Sequence, residues 1–271
     1  MNHVPDIRQL YKPVQPTIRQ SFEQVVYREI LPDLKLQNYI VCYWELKTKS
    51  KLLSSFLYRV VADGCIDVYF EIQNCENNYV MGFCKKFTEF NLGQNFNYVG
   101  IRFYPTIFSQ LFHVDAAMLS NQYTALNRVV PQLSEFIGGS LNSSMSFEDI
   151  GDRLNQFFMA WIKCQTFNWD KRLYKAIEII LINMGVVEIE RDLDTGISQR
   201  QMRRLFEYYI GDTPKTFAKV VRFQNILNSK PSVQSLRESK LFYNAGYYDQ
   251  AHFVKEFKFL YGVTPSQAFG R

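Results

Sequence analysis

Three arginines, Arg200, Arg203 and Arg204, fall within five residues of one another. A guanidinium group can donate two hydrogen bonds at once to the O6 and N7 acceptors of guanine in the major groove of duplex DNA. On a helix of 3.6 residues per turn the three lie with Glu207 on one face, opposite a stripe of Met202, Leu205, Phe206 and Tyr209. Arginine-bearing surface helices occur in proteins of every kind, so the pattern needs support from its surroundings.

That support is an internal repeat. SQRQMRRLFEYYIGDTP, starting at Ser198, aligns without a gap over DQAHFVKEFKFLYGVTP, starting at Asp249, 51 residues later. Gln199 meets Gln250, Phe206 meets Phe257, Gly211 meets Gly262, and Thr213-Pro214 meets Thr264-Pro265. Each copy predicts a helix with both ends marked. Ser198 and Asp249 are N-caps, because their side-chain oxygens accept from free N–H groups of the first turn. Gly211 and Gly262 supply the left-handed residue that ends a helix, and a proline three residues later prevents its resumption. A shorter helical segment and a glycine turn precede each copy: Val186–Asp194 before Gly196, and Val233–Asn244 before Gly246. Helix, glycine turn, capped helix is the order of a helix-turn-helix, whose second helix enters the major groove.

Charge is divided in the same way. Residues 1–165 hold 15 Lys+Arg and 15 Asp+Glu, whereas residues 166–271 hold 16 and 11, so the whole net charge of +5 lies in the C-terminal part. A basic module joined to a neutral one suits a nucleic-acid binder with a separate sensing or dimerisation domain. The expected division is therefore 1–165 and 166–271, with the join at Gln165–Trp169.

The neutral part reads as strands to about residue 105 and helices after it. Tyr39–Leu46, Phe56–Val61, Ile66–Ile72, Tyr79–Phe83 and Tyr98–Phe103 are rich in Val, Ile, Tyr and Phe, and turn signals at Asp63-Gly64, Gln73–Asn78 and Asn91–Asn97 separate them. Asp63-Gly64 is expected to be a hairpin turn, and Trp44, Tyr58, Tyr69 and Phe103 to be core. Phe147–Cys164 is an amphipathic helix carrying Ile150, Leu154, Phe157, Phe158 and Trp161 on one side. The fold class is α+β and multidomain: an N-terminal, mainly-β barrel or sandwich with appended helices, then an all-α domain of two helix-turn-helix units.

Other chemistries find little footing. The chain has no GxSxG elbow, P-loop or HExxH, so no enzyme is expected. Cys42, Cys65, Cys75, Cys84 and Cys164 form no CxxC pair and read as buried structural thiols, while His3, His113 and His252 are scattered, so neither metal nor cofactor is expected. No stretch approaches the 18 or more uncharged apolar residues of a membrane span, and the opening MNHVPDIRQLYKPVQPT lacks the order of a secretory signal; the expectation is a cytoplasmic protein away from the membrane.

Residues Asp170 to Phe269 resemble the DNA-binding domain of the AraC family of transcription regulators. SQRQMRRLFEYYIGDTPKTF carries the resemblance in the first unit and AGYYDQAHFVKEFKFLYGVTP in the second. It implies a long helix between the units, which Thr216–Asn228 fits, and two recognition helices in successive major-groove segments. Carried over by position, the base-facing residues are Arg200, Arg203 and Arg204, then Gln250, His252 and Lys255, with Lys215 and Lys219 near the phosphates. The implied partner is double-stranded DNA, and RNA polymerase, a small-molecule effector and a second copy of the chain are compatible further partners. Where the family has a small alanine in the first helix of each unit, this chain has Glu190 or Asp192 and, in the second unit, Phe242. The reactive P-C-x-R motif of DNA-repair methyltransferases sharing this domain is absent. A degenerate pair of units binding protein is the rival reading; the arginines and the intact second unit argue against it. YREILPDLKLQNYIVCYWEL, VADGCIDVYFEI and YVGIRFYP resemble the N-terminal domain of a subset of these regulators. Arg102, basic within an apolar strand, is the candidate anchor there for an acidic ligand.

Overall fold

A computed structural model of the chain describes residues 4–15, 24–167, 169–229, 231 and 245–269. Eight strands come first: β1 Val25–Ile30, β2 Ile40–Thr48, β3 Leu57–Val60, β4 Ile66–Glu71, β5 Asn74–Met81, β6 Thr88–Asn91, β7 Asn97–Phe103 and, later, β8 Tyr123–Ala125. Six form an antiparallel sheet in the order β1-β2-β7-β4-β5-β8, and β3 pairs with β6 in a separate two-stranded sheet. The large sheet is open, with β1 and β8 at its edges, so the arrangement is sandwich-like and not a closed barrel.

Alternation along the strands divides the side chains between two cores. Tyr43, Val68, Phe70, Val99, Ile101 and Phe103 belong to the main core, covered by α1 (Ile107–Phe112), α2 (Pro131–Ser140) and α3 (Phe147–Lys163). Cys42, Trp44 and Leu46 on the opposite face of β2 form a second cluster with Tyr58 and Phe96. Burial on both faces explains why these strands read as nearly continuous apolar runs. α3 starts at a capping box between Ser146 and Asp149 and buries Phe147, Ile150, Leu154 and Phe158.

The C-terminal part is helical: α4 Lys171–Ile182, α5 Ile189–Asp192, α6 Gln199–Ile210, α7 Pro214–Ser229, α8 Gln250–Tyr261 and α9 Pro265–Phe269. Its packing is continuous with the main core. Gly211, at the end of α6, lies against Phe83 and the Ala116 carbonyl, and Phe217 of α7 packs beside Tyr11. Residues 4–15 run along α7, where Gln224 accepts from the Val14 amide at 2.8 Å.

Several expectations need correction. β8 lies within the stretch read as helical; Tyr123 and Thr124 suit a strand and complete the edge of β5. Asp63-Gly64 is not a hairpin turn, because β3 pairs with β6 and the loop crosses from the small sheet to β4 in the large one. The helix expected over Val186–Asp194 shrinks to the four residues of α5, of which Ile189 packs partly against the core while Leu193 just after it is buried; Glu190 and Asp192 do not enter the packing. Val186 instead packs on the Gly246 turn. Cys164 is exposed, unlike the other four cysteines. Val233–Asn244, with Phe242, lies outside the described residues.

Candidate nucleic-acid interface

The two repeat copies fold alike. α6 and α8 are each 12 residues long, begin after Ser198 and Asp249, and end on glycines with φ of +107° and +98°. Ser198 accepts from the Gln201 amide while the Gln201 side chain accepts from the Ser198 amide, closing a capping box. Asp249 accepts from the His252 amide at 2.7 Å. Met202, Phe206 and Ile210 are buried in α6, and their counterparts Phe253, Phe257 and Tyr261 are buried in α8. Leu205 and Tyr209, expected in the α6 stripe, are half-buried.

With those faces fixed, the polar faces turn outward. Arg200, Arg203 and Arg204 are all exposed on α6. Arg203 donates to Glu207 at 2.7 Å one turn on, a pair that lifts its pKa further above the ordinary arginine value. Arg200 and Arg204 have no ion pair among the described residues. Gln250, His252 and Lys255 are exposed on α8, and Lys215 is exposed in the first turn of α7. The structure thus brings the base-facing candidates together in two groups, each in the first half of a capped helix, with Lys215 at the start of α7 between them.

Lys219 is placed differently. Its Nζ lies 3.7 Å from Glu256, a buried carboxylate of α8 that also meets Arg222 at 3.2 Å and His252 at 3.9 Å. Arg222 in turn donates to the Gly246 carbonyl and lies 4.5 Å from the Tyr247 ring centroid. Glu256 and Arg222 therefore clamp α7, α8 and the turn before α8 into one unit. Neither was expected from sequence, although the repeat held a signal: Glu256 aligns with Leu205, a charge where the first copy has an apolar residue.

Arg102 is also placed differently from its expected role. Its side chain is 2% exposed and is held by Asp67 at 3.0 Å, Asp63 at 3.4 Å and Glu29 at 3.8 Å. A cleft lies beside this cluster, between the face of the large sheet and β3–β6, and opens partly to solvent. Asp63 and Asp67 line it, Arg102 does not. Trp44 and Tyr58 are buried in the second core, as expected, and also form cleft walls with Phe90 and Tyr98; Tyr69 packs against that core at the wall, and Phe103 lies in the main core as expected. Gly100 makes the floor possible. A Cβ there would meet the Trp44 ring at 2.1 Å, and without one the indole lies across β7 and donates to Asp67 at 3.0 Å.

Residues 194–271 match the family model described as a helix-turn-helix domain, and residues 28–125 match one described as a domain of unknown function (DUF6597). No curated protein sequence matches the chain. Among solved structures, an apo variant of ToxT from Vibrio cholerae is similar at 13% identity, covering 83% of this chain and 97% of that one, with a TM-score of 0.43. ToxT bound to (E)-4-(8-methylnaphthalen-1-yl)but-3-enoic acid is similar at 12% identity, covering 91% and 98%, with a TM-score of 0.42. Superpositions this loose give no basis for transferring a ligand.

Proposed function

We propose that this chain, whose C-terminal residues form an AraC-type helix-turn-helix domain, is a sequence-specific regulator of transcription acting on double-stranded DNA in the cytoplasm. Residues 166–271 bind the duplex, and residues 1–165 modulate that binding through an effector or through dimerisation. The observation that carries the reading is the pair of equally long, equally capped helices 51 residues apart, each with exposed donors in its first turns. Side chains there reach base edges, while the buried stripe fixes the helix on its partner. Arg200, Arg203 and Arg204 read bases from the first unit; Gln250, His252 and Lys255 read them from the second. Lys215 supplies phosphate contact, with Lys219 divided between phosphate and Glu256.

Selection of bound duplexes from a random pool by the full chain tests the reading. A recovered consensus, bound with an affinity that falls steeply with salt as counterions are retained by the phosphates, is the expected result. No enrichment, or binding indifferent to salt, would favour a protein-interaction module instead.

A further inference from the structure

We propose that the cleft between the two sheets is a binding site for a small organic cation, an amine with an aromatic or branched aliphatic body whose charged group sits beside Asp63 and Asp67. The proposal deepens the effector reading above and rests on it only for the consequence at DNA.

Lining sets the kind of molecule. Most of the wall is apolar or aromatic, as in small-molecule sites. The faces of Trp44, Tyr58, Tyr69, Phe90 and Tyr98 carry the negative side of their ring quadrupoles, which attracts a cation. A sugar or other polyol would need many more polar partners than this wall supplies.

Charge sets the sign. Among the described residues lining the cleft, the formal charges are both negative, Asp63 and Asp67. Their side chains are 10% and 15% exposed, while Arg102 behind them is 2% exposed. One guanidinium thus faces two cleft carboxylates, with Glu29 a third at 3.8 Å. The surplus negative charge repels an anion and leaves room for one more cation.

The location gives the site a route to the DNA-binding part. Asp63 belongs to the loop whose preceding residue, Ala62, accepts from Gln224 of α7 at 2.8 Å and donates to Leu260 of α8 at 3.4 Å. Asp63 itself accepts from Gln15 at 2.7 Å. A cation pulling on Asp63 acts on a loop bonded to both helices.

Calorimetric titration of the full chain with 2-phenylethylamine, 2-phenylethanol and phenylacetate is the test, with cyclohexylmethylamine as a second amine. One amine per chain should bind, about tenfold or more tighter than the alcohol, with no binding of the carboxylate. Asp67→Asn should weaken the amine by about tenfold, and Val60→Trp, which fills the cleft while keeping both carboxylates, should abolish binding. Equal or tighter binding of alcohol or carboxylate would overturn the proposal. So would amine binding that survives Val60→Trp, or no binding by either amine at millimolar concentration. Duplex binding by the same preparation is read separately. Intact DNA binding with no amine binding removes only the ligand, and the converse removes only the regulator.

Discussion

Gln224, in the middle of the helix that joins the two units, donates its side-chain amide to the carbonyl of Ala62 at 2.8 Å. The same side chain is 1% exposed and also exchanges hydrogen bonds with the backbone of Val14. One buried amide thus ties the N-terminal strap, the loop beside the cleft and the linker helix together. Gln224→Leu keeps the volume but leaves the Val14 amide and the Ala62 carbonyl unpaired in the interior. The expected loss is about 1–3 kcal/mol, seen as a lower denaturation midpoint. A midpoint unchanged in the variant would mean that water or backbone shifts replace these bonds.

Asp67 gives the protein a pH dependence of definite sign. Burial pushes its carboxyl up from 3.8 to about 6, with Asp63 adding to the rise and Arg102 opposing it. The charged groups facing it are Arg102 from β7, Asp63 from the loop and, across Arg102, Glu29 from β1. Tyr27, Tyr58, Cys42, Cys65 and Cys84 border the same cluster, but burial pushes each of them up, so they stay neutral in this range. The folded chain therefore holds the Asp67 proton more tightly than the unfolded chain. This contribution to stability is complete below pH 4 and is lost as pH rises through about 6. Relative to Asp67→Asn, the native protein should lose melting temperature between pH 4 and 7. Amine affinity should run the other way and strengthen as the carboxylate forms. Parallel melting profiles for the two proteins would remove Asp67 from this role.

The exposed cations separate into readers and anchors. Arg204→Ala should relax preference at one base position and cost about 1–3 kcal/mol on the selected site. Lys215→Ala should weaken all duplexes alike and flatten the salt slope by roughly one. Arg203 must first release Glu207, so its substitution is the less direct probe of base reading. Lys219 is likewise a poor probe of phosphate contact, because its loss also disturbs the Glu256 clamp. Competition between cognate and random duplexes decides the matter: equal losses from Arg204→Ala on both would strip it of a base-reading role.

Gly100 lies directly beneath the Trp44 ring that walls the cleft. Gly100→Ala places a methyl where the Trp44 ring lies, so the indole must rotate and give up its bond to Asp67. The expected outcome is a shifted tryptophan fluorescence spectrum and weaker amine binding, with duplex binding retained. An unchanged spectrum would show that β7 moves instead of the indole.

The repeat made the second half readable because caps, glycines and prolines act locally, within a turn of the residue that carries them. Strand identity was readable for the same reason, from Val, Ile and aromatic content. The cleft was not. Trp44 and Tyr58 are core by burial as well as by type, and only the separation of β3–β6 from the large sheet makes them, with Tyr69, walls of a cleft as well. Asp63-Gly64 was recognisable as a turn, and Gly64 has a φ of +72°, but which sheets the turn joins depends on the non-local pairing of β3 with β6. Arg102 stood out as a charge in an apolar strand. Its partners lie 35 and 39 positions earlier in the chain, on a neighbouring strand and the loop before it, which no window along the sequence displays.

Two capped helices on a single chain lead to the last prediction, about how much DNA one molecule covers. Each helix is fixed by its own buried stripe, Met202, Phe206 and Ile210 in α6 and Phe253, Phe257 and Tyr261 in α8. α7 bridges them, and the Arg222–Glu256 contact holds α8 to that bridge. Readers that engage the same face of a duplex must be spaced by one helical turn, roughly 34 Å or 10 base pairs. A monomer of the full chain should therefore protect two major-groove segments at that spacing, where an ordinary helix-turn-helix protein needs a dimer. Joint replacement of Arg200 and Arg204 by alanine should erase one segment and spare the other, and replacement of Gln250 and Lys255 should do the reverse. Footprinting the variants on a selected site reads both results. Protection of a single segment by the unaltered chain would mean that only one unit engages DNA. The first unit would then be the one to suspect, since its leading helix α5 is a single turn anchored by little more than Ile189 and the buried Leu193 at its end.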